Sequence, residues 1–369
     1  MCIRDRGSGD DFMTISLCMI VKNEEKVLAR CLDSIRGFVD EIIIVDTGSD
    51  DDTKRIARKY TDKVYDFEWI DDFAAARNYS FSKATMQYCM WMDADDVILD
   101  SDREKLAELK ASVTPDIDII MMRYNTAFDE DGKPTFSYYR ERIVRNNGKN
   151  IWQGRVHEAI ARYGITLYTE AAVTHKKLET SYSDRNLKIY EKQLADKEPL
   201  SPRDTFYYGR ELYYHNRIED AVAILNGFVY SGEGWVENSI EACRILSLCY
   251  YSLNNREEAL YALLKSMRFD TPRAEICCDI GSHFMHEGSY KNAAFWYELA
   301  LTRRRNDASG AFVSPDCYGY LPCIQLCVCH DKMGNSRLAY EYNEMAGEYK
   351  PYSEAYRLNK EYFTKKGIG

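Results

Sequence analysis

The sequence predicts two folds in tandem: an α/β domain on a largely parallel sheet, then an all-α helical array beginning beyond about residue 183. Two observations predict it. In the first half, apolar runs of strand length end abruptly in polar tips and give way to helical patterns, the rhythm of βα units. In the second half the alternation stops, and helices rich in Tyr, Leu and Ala recur with a shared turn. The chain of 369 residues is long enough for two or three domains, and its 45% hydrophobic content supports sizeable cores.

The elements follow in order. Ile15-Ser16-Leu17-Cys18-Met19-Ile20-Val21 is a continuous apolar strand, followed by Lys22-Asn23-Glu24-Glu25 and a helical pattern through Val27, Leu28, Cys31, Leu32 and Ile35. The next strand, Glu41-Ile42-Ile43-Ile44-Val45, closes on Asp46-Thr47-Gly48-Ser49-Asp50, with a helix start at Asp51-Asp52-Thr53. A third apolar run ends in Trp91-Met92-Asp93-Ala94-Asp95-Asp96. In parallel sheets ligands bind beyond the carboxyl ends of the strands, so Asn23, Asp46 and the Asp93 cluster are expected around one site. Asp93 and Asp95 fall on the same side of an extended backbone and so within reach of one Mg²⁺ or Mn²⁺, cations that take oxygen ligands and leave room for a diphosphate. With 59 acidic residues in the chain, an isolated Asp-x-Asp also reads as a solvated loop or a helix cap.

Four motifs, in order and spacing, lift that ambiguity: Met19-Ile20-Val21-Lys22-Asn23-Glu24-Glu25, Val45-Asp46-Thr47-Gly48-Ser49, Asp72-Phe73-Ala74-Ala75-Ala76-Arg77-Asn78 and Met92-Asp93-Ala94-Asp95-Asp96. Together they resemble the family 2 glycosyltransferases of the GT-A fold, a Rossmann-like mixed sheet, over roughly residues 13–180. The resemblance implies transfer of a sugar from a nucleotide-diphosphate donor, a UDP-sugar by expectation, with inversion at the anomeric carbon. Carried over, Asp46 contacts the uracil or ribose, Asp93 lies near the ribose and metal, Asp95 ligates the metal, and Glu25 or Glu24 lines the nucleotide pocket with Asn23.

The residue types suit that chemistry. Charge builds on the departing diphosphate, and a cation with fixed donors stabilises it. Arg77, inside a family motif, and one of Arg140, Arg142 or Arg145 are candidate phosphate contacts; the alternative for each is an ion pair with one of the many acids. The acceptor hydroxyl or thiol needs a base. Trp152-Gln153-Gly154-Arg155-Val156-His157-Glu158 supplies Glu158, the role the resemblance implies, with His157 as the other candidate, although many members carry Glu-Asp where this chain has His-Glu. His175, at the end of the alternating run Ile165–Thr174, is weighed as a third metal ligand, because enzymes of this fold often recruit a late histidine. A nucleotidyltransferase would carry a glycine-rich phosphate loop near its first strand, and Val21–Glu25 has no glycine.

In the second half, an alanine follows a turn Gly or Asn by five residues four times: Asn216 to Ala221, Asn254 to Ala259, Gly288 to Ala293 and Gly334 to Ala339, with the alanines 38, 34 and 46 residues apart. This resembles tetratricopeptide (TPR) repeats, pairs of antiparallel helices in units of about 34 residues. The long last interval contains the insertion Arg303–Gly310, and Pro199–Pro202 marks the entry. The expected organisation is a tag or sequence-assembly remnant at 1–12, a GT-A domain at 13–182, a linking helix at 183–200 and a TPR-like solenoid at 201–369. Its tyrosines read either as contacts for a peptide or oligomer on a concave surface or as packing between stacked helices, and three roles stay open for the array: binding a peptide, protein or cell-envelope glycan acceptor, pairing two chains into a homodimer, or bracing the catalytic domain. A binding module whose transferase domain has decayed is the competing function; retention of Asp46, Asp93, Asp95 and Glu158 argues for the enzyme, because clustered carboxylates repel without a cation.

Composition narrows the setting. No apolar run reaches the roughly 18–20 residues of a membrane helix and no signal-peptide core opens the chain, so membrane insertion is not expected. Twelve cysteines without paired metal spacing read as buried thiols, which places the protein in a reducing cytoplasm. The net charge of −10 argues against nucleic acid.

Overall fold

The computed structural model describes residues 13–128, 134–177 and 183–368. The expected remnant at 1–12 and the end of the expected first domain at 178–182 lie outside the described residues. The chain forms two compact units, divided between Ile189 and Tyr190.

The first unit runs β1 (Ile15–Val21), α1 (Leu28–Ile35), β2 (Glu41–Asp46), α2 (Thr53–Ala57), β3 (Val64–Asp66), α3 (Phe73–Phe81), β4 (Tyr88–Trp91), β5 (Asp96–Val97), α4 (Asp100–Ser112), β6 (Ile117–Phe128), β7 (Pro134–Arg145), β8 (Trp152–Gln153), β9 (Ala159–Ile160) and β10 (Ile165–His175). An eight-stranded sheet is ordered β3-β2-β1-β4-β7-β6-β10-β5, and β8 and β9 form a separate hairpin. β3, β2, β1 and β4 are mutually parallel. β7 is antiparallel to β4 and β6, and β10 runs parallel to β6. The sheet is therefore mixed, and the strand order reverses at β1.

Burial explains why β1 reads as a continuous apolar run. Ile15, Leu17, Met19 and Val21 enter one core with Leu28, Leu32 and Ile35 of α1, while Cys18 enters a second core with Ile43, Val45, Cys89 and Trp91. A strand covered on both faces loses the apolar–polar alternation of a half-exposed one. In α1 the buried residues Leu28, Cys31, Leu32 and Ile35 follow the helical i, i+3, i+4, i+7 spacing that the sequence carries.

α5 (Arg185–Ala195) carries the division between the units. The second unit continues with α6 (Pro202–Tyr214), α7 (Ile218–Ser231), α8 (Val236–Ser252), α9 (Arg256–Lys265), α10 (Ala274–His286), α11 (Tyr290–Leu301), α12 (Tyr320–Lys332), α13 (Ser336–Tyr349) and α14 (Glu354–Lys365). Ser201 caps α6 by accepting the Asp204 N–H at 3.1 Å, and Pro202 sits at its first turn. The four repeat alanines, Ala221, Ala259, Ala293 and Ala339, are all 0% exposed, because only a methyl fits where paired helices approach. Their turn residues Asn216, Asn254, Gly288 and Gly334 all adopt φ between 56° and 82°, the left-handed region that Gly and Asn tolerate best. The TPR-like signature thus has two causes: a left-handed turn and a small residue at the helix contact.

Candidate active site

Parallel pairing places three acidic tips on one margin of the sheet. Val21 lies opposite Asp46, so β1 and β2 end level, and β4 delivers Asp93 beyond Trp91 on the same side. Asp46 is 1% exposed. Its Oδ1 accepts the backbone N–H groups of Gly48 (3.0 Å) and Ser49 (2.8 Å), with the Lys54 ammonium 3.6 Å away. Its Oδ2 is buried without a partner, an acceptor available to a ligand N–H or O–H. Asn23, at φ 57°, ties the first tip to the second: its N–H donates to Ser49 Oγ and its Oδ1 accepts the Asp50 N–H.

The two glutamates that follow separate. Glu25 is exposed, and its Oε2 accepts the Asp52 N–H. Glu24 is half-buried, and its carboxyl is pushed up to about 7 by burial and by the charges of Asp95, Asp93 and Asp51, against the pull of Arg185. Glu24 is thus the glutamate beside the acidic cluster.

α3 explains the Asp72–Asn78 motif. Asp72 caps the helix through the Ala75 N–H (2.8 Å). Asn78 clamps β8 with two bonds, donating to Trp152 O and accepting the Trp152 N–H, both at 2.9 Å. Between them Arg77, 7% exposed, lies 4.9 and 4.8 Å from the Trp91 and Trp152 ring centroids. Its Nε donates to Glu158 Oε1 (2.6 Å) and its Nη2 to Asp93 Oδ1 (2.8 Å). One guanidinium therefore joins the Asp-x-Asp loop to the β8–β9 turn. Burial raises the Asp93 carboxyl, but the Arg77 and Arg142 guanidiniums outweigh it and leave the group below the usual carboxylate range. His157 precedes Glu158 in a left-handed conformation at φ 51°.

The third cluster is made by register. β10 pairs antiparallel with β5 so that His175 faces Asp96. His175 Nδ1 lies 3.4 Å from Asp95 Oδ1 and 3.4 Å from Asp96 Oδ1. The three residues offer ligand atoms within 4.8 Å of one another. Hydrogen bonds to Asp95 and then Asp96 push the His175 imidazole up to about 10 against its partial burial. Asp96, 0% exposed, is already engaged: Oδ1 accepts Tyr124 OH (3.0 Å), and Oδ2 accepts Arg142 Nη1 and the Asp93 N–H, each at 3.1 Å. Half-exposed Asp95 and His175 thus present one carboxylate and one imidazole, a donor set that fits Mn²⁺ or Mg²⁺ with the remaining positions left to a diphosphate and water, while Asp96 orients His175.

The candidate arginines fall out differently. Arg142 is fully buried on Asp96, 3.8 Å from the Trp91 ring centroid. Arg145 binds Asp118 and Tyr88, level with the start of β4 and away from its acidic end. Arg140 pairs with Glu141. Two participants went unassigned in the sequence. Asp96 had its adjacency to Asp95 as a signal. Arg185, at the start of α5, stands 4.6 Å from the Phe73 ring centroid and close enough to Glu158 and Glu24 for both charges to act on it; nothing local in the sequence marks it.

A parallel β3-β2-β1-β4 half-sheet with acidic tips where the order reverses, extended by mixed strands, defines the first unit as a GT-A fold. The family model described as glycosyl transferase family 2 matches residues 16–165, and the N-terminal domain belongs to that family. The chain is 31% identical over 228 residues to the SPbeta prophage-derived glycosyltransferase SunS of Bacillus subtilis (strain 168), covering 58% of this chain and 53% of that one. It is 26% identical over 255 residues to the lipopolysaccharide core biosynthesis glycosyltransferase LpsC of Rhizobium meliloti, covering 63% and 92%. An 85-residue stretch is 45% identical to a TPR repeat-containing protein of Synechococcus elongatus, covering 23% and 21%. The chain thus spans about half the length of SunS. Among the described residues no helix is long and apolar enough to cross a membrane.

Proposed function

We propose that this protein is an inverting, metal-dependent glycosyltransferase that moves a sugar from a UDP-type donor to a hydroxyl or thiol of a peptide, protein or cell-envelope glycan. The observation that carries the reading is the Arg77 bridge, which holds Asp93 of the Asp-x-Asp loop and Glu158 within the span of one guanidinium. It supports a donor end and an acceptor end meeting at one point. Asp46, with its partnerless Oδ2, suits an N–H of uracil or a ribose hydroxyl, with Asn23 shaping the same pocket. Glu158 keeps Oε1 on Arg77 and uses Oε2 as the base. The acceptor's proton passes to Glu158, the acceptor atom bonds to the anomeric carbon, and the bond from that carbon to the diphosphate oxygen breaks with inversion. Asp95 and His175 would hold the cation, with Asp93, whose Oδ1 accepts from Arg77, as the third expected ligand beside them, and the cation would supply charge neutralisation for the leaving diphosphate. The Arg185 guanidinium adds a cationic contact that needs no metal.

For the acceptor, a lipopolysaccharide-core relative supports a glycan, and the TPR-like unit supports a polypeptide. Among the described residues, eleven buried and unbridged cysteines support a reducing cytoplasm. The test is a panel of nucleotide sugars with Mn²⁺. UDP plus Mn²⁺ is expected to raise the melting temperature more than either alone, and Glu158→Gln is expected to keep that shift while losing turnover. Asp95→Ala is expected to lose both. No shift with any nucleotide overturns the enzyme reading; full turnover by Glu158→Gln moves the base elsewhere, His157 first.

A further inference from the structure

The insertion between α11 and α12 is not an idle surface loop. After Arg305 pairs with Asp307 (2.8 Å), the chain crosses the first helices of three successive helix pairs within five residues. Gly310, at φ 76°, lies flat against Trp235 at the head of α8, where a Cβ would stand 2.8 Å from the indole ring. The Phe312 ring packs 6.1 Å from Phe206 of α6, under the Arg210 guanidinium at 5.5 Å. The Ser314 N–H then donates to Glu275 Oε1 of α10 at 2.7 Å.

The hold is slight and incomplete. The segment's backbone bonds, such as Val313 N–H to Ala311 O and Ser309 N–H to Asn306 O, are internal, and among the described residues no backbone–backbone bond joins it to α6, α8 or α10. Arg210 is stacked near Tyr207 and Tyr214 as well, yet its Nε is buried without an acceptor. A buried unsatisfied donor marks a position that a better occupant would satisfy with a carbonyl or carboxylate.

We propose that Gly310–Ser314 is a displaceable strap over a peptide-docking row on α6, α8 and α10, and that the row accepts an extended segment bearing an aromatic side chain in the place Phe312 occupies. The chain's own segment shows the chemistry that fits: an aromatic ring between Phe206 and Arg210, and a following N–H for Glu275. Tethering gives the strap a high effective concentration, so a peptide in solution competes only where the strap is weakened or where it makes the missing contact to Arg210. The inference does not depend on what the first unit catalyses, and its assay reads binding alone.

The probe is a fluorescein-labelled peptide with the sequence of Arg305–Ser314, titrated by anisotropy into the full chain and into a full-length variant whose 305–313 segment is replaced by a glycine–serine linker of equal length. The strap-replaced chain is expected to bind at least ~10-fold tighter than the unaltered chain, and Phe312→Ala in the peptide to lose ~10-fold or more. Equal binding to both chains overturns the proposal, as does no binding to a strap-replaced chain that keeps its helical circular dichroism and cooperative melt. If that variant does not fold, Phe312→Ala in the full chain takes its place; should it also fail to fold, the segment is a structural part of the array and the proposal falls.

Discussion

Replacing Arg77 with methionine isolates the bridge on which the site depends. Methionine keeps the apolar stem between Trp91 and Trp152 but removes both charged hydrogen bonds, leaving Asp93 and Glu158 without their shared partner. Breaking a buried ion pair by deleting one member costs about 3–5 kcal/mol, mostly because the remaining charge stays desolvated. For a domain of this size that corresponds to a fall in Tm of about 6–20 °C in the first unit's transition. The sign with pH follows from Asp93, whose depressed pKa makes its contribution complete above the unfolded carboxylate value near 3.9 and lost below it. The cost of Arg77→Met is therefore greatest near neutrality and shrinks below about pH 4. Adding Glu158→Gln removes one of the two stranded charges and is expected to restore about 1–2 kcal/mol, measured by urea unfolding as a double-mutant cycle. A Tm within about 2 °C of the unaltered protein at pH 7, or no rescue by the second substitution, would refute the reasoning.

Three further outcomes are expected. Because His175 carries a pKa raised to about 10, Mn²⁺ must displace a proton from it at pH 8, and calorimetry in buffers of different ionisation enthalpy should report about one proton released per ion; none released removes His175 from the ligand set. Glu41, whose carboxyl is held at about 2 against burial by Lys63, Ser16 and Thr85, contributes stability that is present above the unfolded value near 4.5 and is lost as pH falls to 2. Glu41→Gln should cost about 2–3 kcal/mol at pH 7 and little at pH 2, read by denaturant melts. In the second unit Gly281→Ala would place a methyl 2.8 Å from the Tyr297 ring, so a loss of about 1–3 kcal/mol in the helical transition is expected, and an unchanged melt would show that α10 and α11 yield at that contact.

The sequence and the structure agree where the signal is local. β1 begins and ends where its apolar run does, and the repeat alanines mark helix contacts because one turn and one small residue act within five positions. The site was legible as a set of strand tips, since parallel pairing carries Asn23, Asp46 and Asp93 to one margin. Its wiring was not. That Arg77 turns inward to join two carboxylates depends on Trp152 arriving from another hairpin, and that His175 meets Asp96 depends on the β5–β10 register, neither of which has a local period. Glu24 and Glu25 are indistinguishable as letters, yet one lies beside the acidic cluster and the other faces solvent. Arg185 contributes from a segment far along the chain, and only the fold brings it to Phe73.

The margins of the eight-stranded sheet are β3 and β5, of three and two residues. Strands this brief offer few unpaired amides and carbonyls themselves, but β5 pairs with β10 only at Thr174 and His175, so among the described residues the outer edge of β10 from Ile165 to Val173 has no strand partner. Crowding many copies together should for that reason bring a foreign strand first to the outer edge of β10, where the exposed Ile165 and Tyr168 lie, rather than to β3 or β5.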